Sequence, residues 1–142
     1  MKPTELASCV ITDEYGRVLL LHRVVDEIGH WELPGGLVDE DQAPAEAAAQ
    51  ALLTQLDVRV SVRAELGKEA FEQAGDDYLS HWFAADIVQG TPVITDSDNF
   101  DDADYFEFED IPALALSVDL QILFEKIQNG DIVLDPGDGT YF

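Results

Sequence analysis

The sequence predicts a mixed α/β domain, a mixed sheet held between helices, and three observations predict it. Apolar residues alternate at period two, most clearly through Val58, Val60 and Val62. Two other stretches, from Ala45 to Leu56 and from Leu120 to Ile127, carry them at helical spacing. The order along the chain is strands, helix, strands, helix. With 142 residues, 46% of them hydrophobic, the chain can build one core and is short for two, so residues 1–142 are read as one domain.

Taken in order, "LASCVITD" (6–13) and "RVLLLHR" (17–23) flank the turn-like "EYG" and read as a hairpin. "HWELPGG" adds an extended piece ended by Pro34 and a glycine pair. Pro44 suits the first position of a helix over about 44–56, whose Ala45, Ala48, Ala49, Leu52, Leu53 and Leu56 form one apolar face. Ala43 is a poor cap for it. "VRVSVRAELGKEAF" and the residues at about 78–88 read as strands, and "DYFEFE" as a third. A second helix is predicted over about 117–128, with Ser117 as N-cap, Leu120, Leu123, Phe124 and Ile127 facing inward, and Asn129 and Gly130 ending it. "DIVLDPGDGTYF" then reads as a short extended piece and a turn. The acidic stretch at 95–104 is the one low-complexity tract and reads as a loop.

Thirty acidic residues against seven Lys and Arg give a formal charge of -23. Such a field repels polyanions, which argues against nucleic acid as a partner. A small nucleotide is still admissible, because a few cations, backbone N–H groups or a divalent metal overcome the field locally. The acidity itself fits either a solvated surface, as in a salty cytoplasm, or a surface for docking a basic protein. No stretch approaches the roughly 18 apolar residues of a membrane span, and the N-terminus lacks a signal pattern, so a soluble cytoplasmic protein is expected. Cys9 lies in the apolar run "ASCVI" and reads as a buried strand residue.

At "WELPGGLVD", followed by a Pro-started helix, the sequence resembles the MutT-like Nudix hydrolase family. The segments "LLLHR", "HWFAA" and "DYFEFEDIPAL" extend the resemblance over nearly the whole chain. It implies an α/β/α sandwich with a mixed sheet, and an enzyme that cleaves nucleoside diphosphates linked to another group. The family motif is G-x5-E-x7-R-E-U-x-E-E-x-G-U, with U aliphatic. Aligned on Gly36, its first glutamate falls on Gln42, its arginine on Gln50, the adjoining glutamate on Ala51, the glutamate pair on Thr54 and Gln55, and the closing glycine on Asp57. Gly36, Leu52 and Val58 match. Every charged group of the motif is replaced.

Residues 51, 54 and 55 are spaced i, i+3 and i+4 and project from one helical face. Three carboxylates there could hold Mg²⁺ against a pyrophosphate, with the metal neutralising charge and activating water. Ala51, Thr54 and Gln55 offer a methyl, a hydroxyl and an amide, so no box metal is expected from them, and a cation would lean on substrate phosphates and the Gly35 carbonyl. Glu46 cannot compensate, being eight residues from Thr54, about 12 Å along the axis. Asp102, three residues before Tyr105, and Asp39, just past the glycine pair, are the displaced acids to consider; a solvated acidic loop is the plainer account of Asp98, Asp101 and Asp102.

Arg23 resembles a family arginine that faces the substrate and is the first candidate for a phosphate contact, against a surface ion pair with a neighbouring acid. Arg63 and Lys68 are weaker candidates. Gly35 and Gly36 would give a turn of positive φ whose N–H groups reach phosphate, or only a tight turn into the helix. Trp31 and Trp82 would stack on a base or pack in the core. His22, His30 and His81 lack metal or triad spacing and read as structural. Three functions follow: a catalytically weak or inactive module (a pseudoenzyme) binding a nucleotide or nucleotide sugar; an active hydrolase using Mg²⁺ or Mn²⁺ on displaced acids; or an acidic interaction scaffold. The resemblance also suggests a homodimer.

Overall fold

A computed structural model describes residues 2–24 and 27–133. Seven strands, β1 (Thr4–Val10), β2 (Val18–Arg23), β3 (His30–Glu32), β4 (Gly35–Leu37), β5 (Arg59–Gln73), β6 (Asp76–Gln89) and β7 (Phe100–Phe106), accompany helices α1 (Pro44–Leu56) and α2 (Val118–Gln128) among these residues. They form a four-stranded sheet in the order β4-β1-β6-β5 and a three-stranded sheet in the order β3-β2-β7. The first is mixed, because β1 runs parallel to β6 and antiparallel to β4. The expected α/β fold with a mixed sheet is the observed one.

Side-chain alternation divides the core into two halves. Ala7, Cys9, Leu19, Leu21, Phe83 and Ala85 point to the α1 side with Ala48, Leu52 and Leu56, while Val10, Leu20 and Trp82 point to the α2 side with Leu120, Leu123 and Phe124. Strands buried on both faces explain why "ASCVI" and "VLLL" are continuous apolar runs rather than alternating ones.

Several expectations need correction. The first two strands close a tight turn, with the Thr12–Val18 bridge and the Leu19 N–H on the Ile11 carbonyl, but then part into different sheets. The reason is that β1 lies between β4 and β6 and has no free edge for β2. "HWELPGG" is two strands, split where Pro34 has no N–H to continue a ladder. The acidic stretch is a loop only to residue 99, since Phe100 to Asp104 belong to β7, anchored by the fully buried Phe100. On α1 the buried residues are Ala47, Ala48, Leu52, Gln55 and Leu56; Ala49 and Leu53 instead border a shallow surface hollow with Arg59.

Both predicted helices begin and end as expected within a residue. Ala43 provides no side-chain cap for α1, whereas the Ser117 hydroxyl accepts the Leu120 N–H at 3.2 Å. Asp57, at the motif's closing-glycine position, takes the left-handed conformation that ends α1, with φ 55°. Ile132 packs into the α2-side core. The turn expected beyond Val133 lies outside the described residues. No helix among the described residues is long and apolar enough to cross a membrane.

Candidate functional site

The short strand β4 separates two hollows. Its position is fixed by the ladder with β1: Cys9 donates to the Pro34 carbonyl and Val38 to the Glu5 carbonyl, each at 3.0 Å. Antiparallel bonding alternates, so Gly36 faces β1 while Gly35 turns its N–H and C=O outward, to the open edge of the sheet. Neither glycine has positive φ, contrary to the turn expected from sequence. Gly35 is required for space, since a Cβ there would collide with the Ala7 carbonyl and the Ser8 side chain. A Cβ on Gly36 would meet only the Ala51 methyl, at 3.4 Å.

The first hollow, between β4 and the exposed face of α1, is an open cleft of roughly 520 Å³ bordered by Gly36, Asp39, Ala51, Thr54, Gln55 and Asp96. Asp39 and Asp96 are its carboxylates, and the helix contributes none. Gln55 is nearly buried, and its amide spans the cleft floor: Oε1 accepts the Gly35 N–H at 3.2 Å and Nε2 donates to the Gly35 carbonyl at 2.7 Å. The backbone groups expected to be available to a phosphate or cation are therefore already occupied. Among the described residues no three His, Cys, Asp or Glu side chains are grouped to hold a metal, and this donor set does not fit a hard divalent cation.

Asp39 does border this cleft, and so does an acid that the sequence reading did not single out. The segment before β7 folds back on the end of α1: the Val93 N–H bonds the Leu56 carbonyl at 3.1 Å, the Thr95 N–H the Gln55 carbonyl at 2.9 Å, and the Thr95 hydroxyl the Thr54 carbonyl at 2.5 Å. These contacts satisfy carbonyls that a helix end leaves unpaired, and they set Asp96 at the cleft rim. Asp102 sits elsewhere, exposed on β7 opposite His22, with its carboxylate accepting the Ala103 N–H at 2.8 Å.

The second hollow, of roughly 340 Å³, lies across β4 and is walled by Leu6, Ser8, Gly35, Glu32, Arg23 and the first turn of α2. Phe71 and Gln73 from the tip of the β5–β6 hairpin complete it, with Phe71 stacked on Tyr78 at a centroid separation of 5.3 Å. Arg23 holds Glu32 by two bonds, 2.7 Å from Nε and 3.1 Å from Nη2, and lies 4.6 Å over the Phe100 ring. The Glu32 hydrogen bond, together with the charges of Glu32 and Asp96, raises the Arg23 pKa against the effect of burial. Arg23 thus makes the ion pair considered from sequence and also borders the cavity. His30 Nε2 shares the same Glu32 oxygen at 2.8 Å.

Asp119, in the first turn of α2, also borders this cavity, and no motif in the sequence marks it. Burial raises its pKa, while hydrogen bonds from the Ser80 hydroxyl and from Trp82 Nε1, the latter at 3.1 Å, pull it down and the charge of Glu32 adds to the rise. Both donors reach Oδ1. Oδ2 has no hydrogen-bond partner among the described residues, and Asp119 borders the cavity. Only the fold could reveal this, by bringing β6 beneath α2.

Other candidates are engaged in packing or pairing. Trp82 is wholly buried, and Trp31 packs edge-on to Phe106 at 4.7 Å and against His22 at 4.9 Å. His22 bonds Asp101 at 2.7 Å, His81 bonds Glu5 at 2.8 Å, and Arg63 bonds Asp86 at 3.0 Å. Burial pushes the Cys9 thiol up to about 12, which removes it as a nucleophile.

Comparison with known proteins places this geometry. A NUDIX domain family model matches residues 2–125. The "MutT NUDIX hydrolase" of Burkholderia pseudomallei superposes with a TM-score of 0.79 at 24% identity, over 89% of this chain and 99% of that one. The Escherichia coli ORF135 protein gives a TM-score of 0.79 at 20% identity, over 97% and 96%. In sequence, a Streptomyces rubellomurinus protein described as CMP-5'-(N-acetyl-N-hydroxy-3-aminopropyl)phosphonate hydrolase is 48% identical over 46 residues. That match spans 31% of this chain and only 22% of the relative's length.

Proposed function

Because the chain belongs to the NUDIX domain family yet carries neutral side chains at its box positions, we propose that it binds a nucleotide-like ligand as a sensor or regulatory module, with weak or no turnover. The observation that supports this reading is the contrast across β4: one side has a cavity lined by Arg23, Glu32 and Asp119, while the cleft beside it has Ala51, Thr54 and Gln55 at the motif's metal-binding positions. Such a cavity can bind without a metal; the cleft lacks the charge to activate water on a phosphate. Asp119 Oδ2 is placed to accept an N–H or O–H of a heterocycle, Arg23 to approach an anionic group, and Phe71 to cover an aromatic face. Such a ligand fits a cytoplasmic protein, monomeric or homodimeric, that has no use for nucleic acid or membrane.

The test is a thermal-shift and calorimetric screen of nucleosides, nucleotides, dinucleotides and nucleotide sugars, each with divalent metal and with EDTA. Saturable stabilisation by one class in both conditions is expected; Mg²⁺- or Mn²⁺-dependent phosphate release at an ordinary enzymatic rate, above about 1 s⁻¹, by a contamination-free preparation would overturn the reading. Asp39 and Asp96 at the cleft rim favour one alternative, a working hydrolase whose cation is held mainly by substrate. It requires Asp39→Asn or Asp96→Asn to abolish that release, and Asp102→Asn, at a residue that does not line the cleft, to leave it unchanged. A pure acidic scaffold would show no nucleotide response.

A further inference from the structure

Position 55 does more than lack a glutamate. The Gln55 side chain completes the open edge of β4 as an additional strand would, pairing with both the N–H and the C=O of Gly35. A carboxylate of the same length could still accept the Gly35 N–H. Its second oxygen, however, would face the Gly35 carbonyl oxygen where Nε2 now donates over 2.7 Å. Two oxygens at that separation repel, and only a positive centre between them turns the contact attractive. The Nε2 hydrogens provide that centre permanently.

We propose that Gln55 is a built-in substitute for a bound divalent cation, linking α1 to β4 without metal and thereby fixing the Gly35 wall of the cavity. Gln55 is a positioning residue here. It reaches the cavity only through Gly35, which is bonded to it on one side and borders the cavity on the other. The neighbouring positions agree with this assignment, since Ala51 and Thr54 add no carboxylate that a cation would be needed to neutralise. Only one consequence rests on the proposed function: nucleotide affinity should be the same in EDTA and in divalent metal.

The experiment needs no nucleotide. Thermal unfolding of the full chain, Q55E and Q55A is followed in moderate salt with EDTA or with millimolar Mn²⁺. In EDTA both variants should melt below the parent, by about 5 °C. Mn²⁺ should restore most of that loss in Q55E, and should move the parent and Q55A only by the small, equal amount due to an acidic surface binding cations. Q55E as stable as the parent in EDTA, or a Mn²⁺ response of Q55E no larger than that of Q55A, would overturn the proposal. A Q55E that does not fold in EDTA should fold when Mn²⁺ is added, and failure in both conditions would count equally against it. Nucleotide titration of the parent follows separately, so a failed nucleotide reading leaves the melting result interpretable.

Discussion

The two sides of β4 carry different chemistry on the same strand. On the α1 side the backbone frame persists: a helix of the right length, a left-handed residue closing it, a glycine pair paired to β1. The motif's charged positions there, Gln42, Gln50, Ala51, Thr54 and Gln55, hold neutral side chains. On the α2 side ionisable groups are present and tied together, Arg23 with Glu32, His30 with Glu32, and Asp119 with Ser80 and Trp82. Charge that binds metal and charge that shapes a cavity are thus separable, because one β-strand with two-residue alternation divides them.

Gly35 is where that separation is most easily broken. Gly35→Ala forces a methyl into the Ala7 carbonyl, a backbone atom that cannot step aside, and should cost about 3 kcal/mol and lower the unfolding midpoint by roughly 10 °C. Gly36→Ala, meeting only the Ala51 methyl, should change the midpoint by no more than about 3 °C. Equal effects in the two melts would mean that β4 does not press on β1 as described.

Asp119 sharpens the comparison from the cavity side. Asp119→Ala strands the Ser80 hydroxyl and the Trp82 N–H in a buried place and should cost about 2–3 kcal/mol, read by denaturant unfolding. Asp119→Asn keeps an acceptor at Oδ1 and should fold well. A carboxyl whose folded-state pKa is raised holds its proton more tightly when folded, so its contribution is greatest below the ordinary carboxylate range and is lost as pH rises through the raised value. Asp119→Asn should therefore gain stability relative to the parent as pH goes from acid to neutral. A gap independent of pH would show that Asp119 does not carry this cost. In the ligand screen the same variant should weaken binding, since an N–H replaces the free acceptor.

What was legible in the sequence was local. Helical periodicity gave α1 and α2, Ser117 announced its cap, and Gly36 aligned the box. Pairing was not legible, because which strand neighbours β1 depends on residues some seventy positions away. For the same reason nothing local marks Asp119, whose partners Ser80 and Trp82 come from β6. Asp96 was missed because its placement follows from the bonds of Val93 and Thr95 to the end of α1, and no motif marks these. At Gln55 the alignment registered a missing charge; that an amide can both accept from and donate to one peptide unit needed the orientation of Gly35.

The smallest predicted effect tests how far the backbone frame of the box persists independently of its side chains. Asp57 adopts φ 55° at the end of α1, donating its N–H to the Leu53 carbonyl. An L-residue in this region is strained by its Cβ, moderately for Asp, and glycine is not. Asp57→Gly also removes a negative charge from the carboxyl end of the helix, where the macrodipole disfavours it. Against these gains stands the larger entropy that glycine loses on folding. The balance should favour the variant by about 0.5 kcal/mol, a rise of about 2 °C in the unfolding midpoint, with no change in ligand response. A lower midpoint would mean that Asp57 holds the turn by a contact of its own, and that this end of the box has been rebuilt along with its side chains.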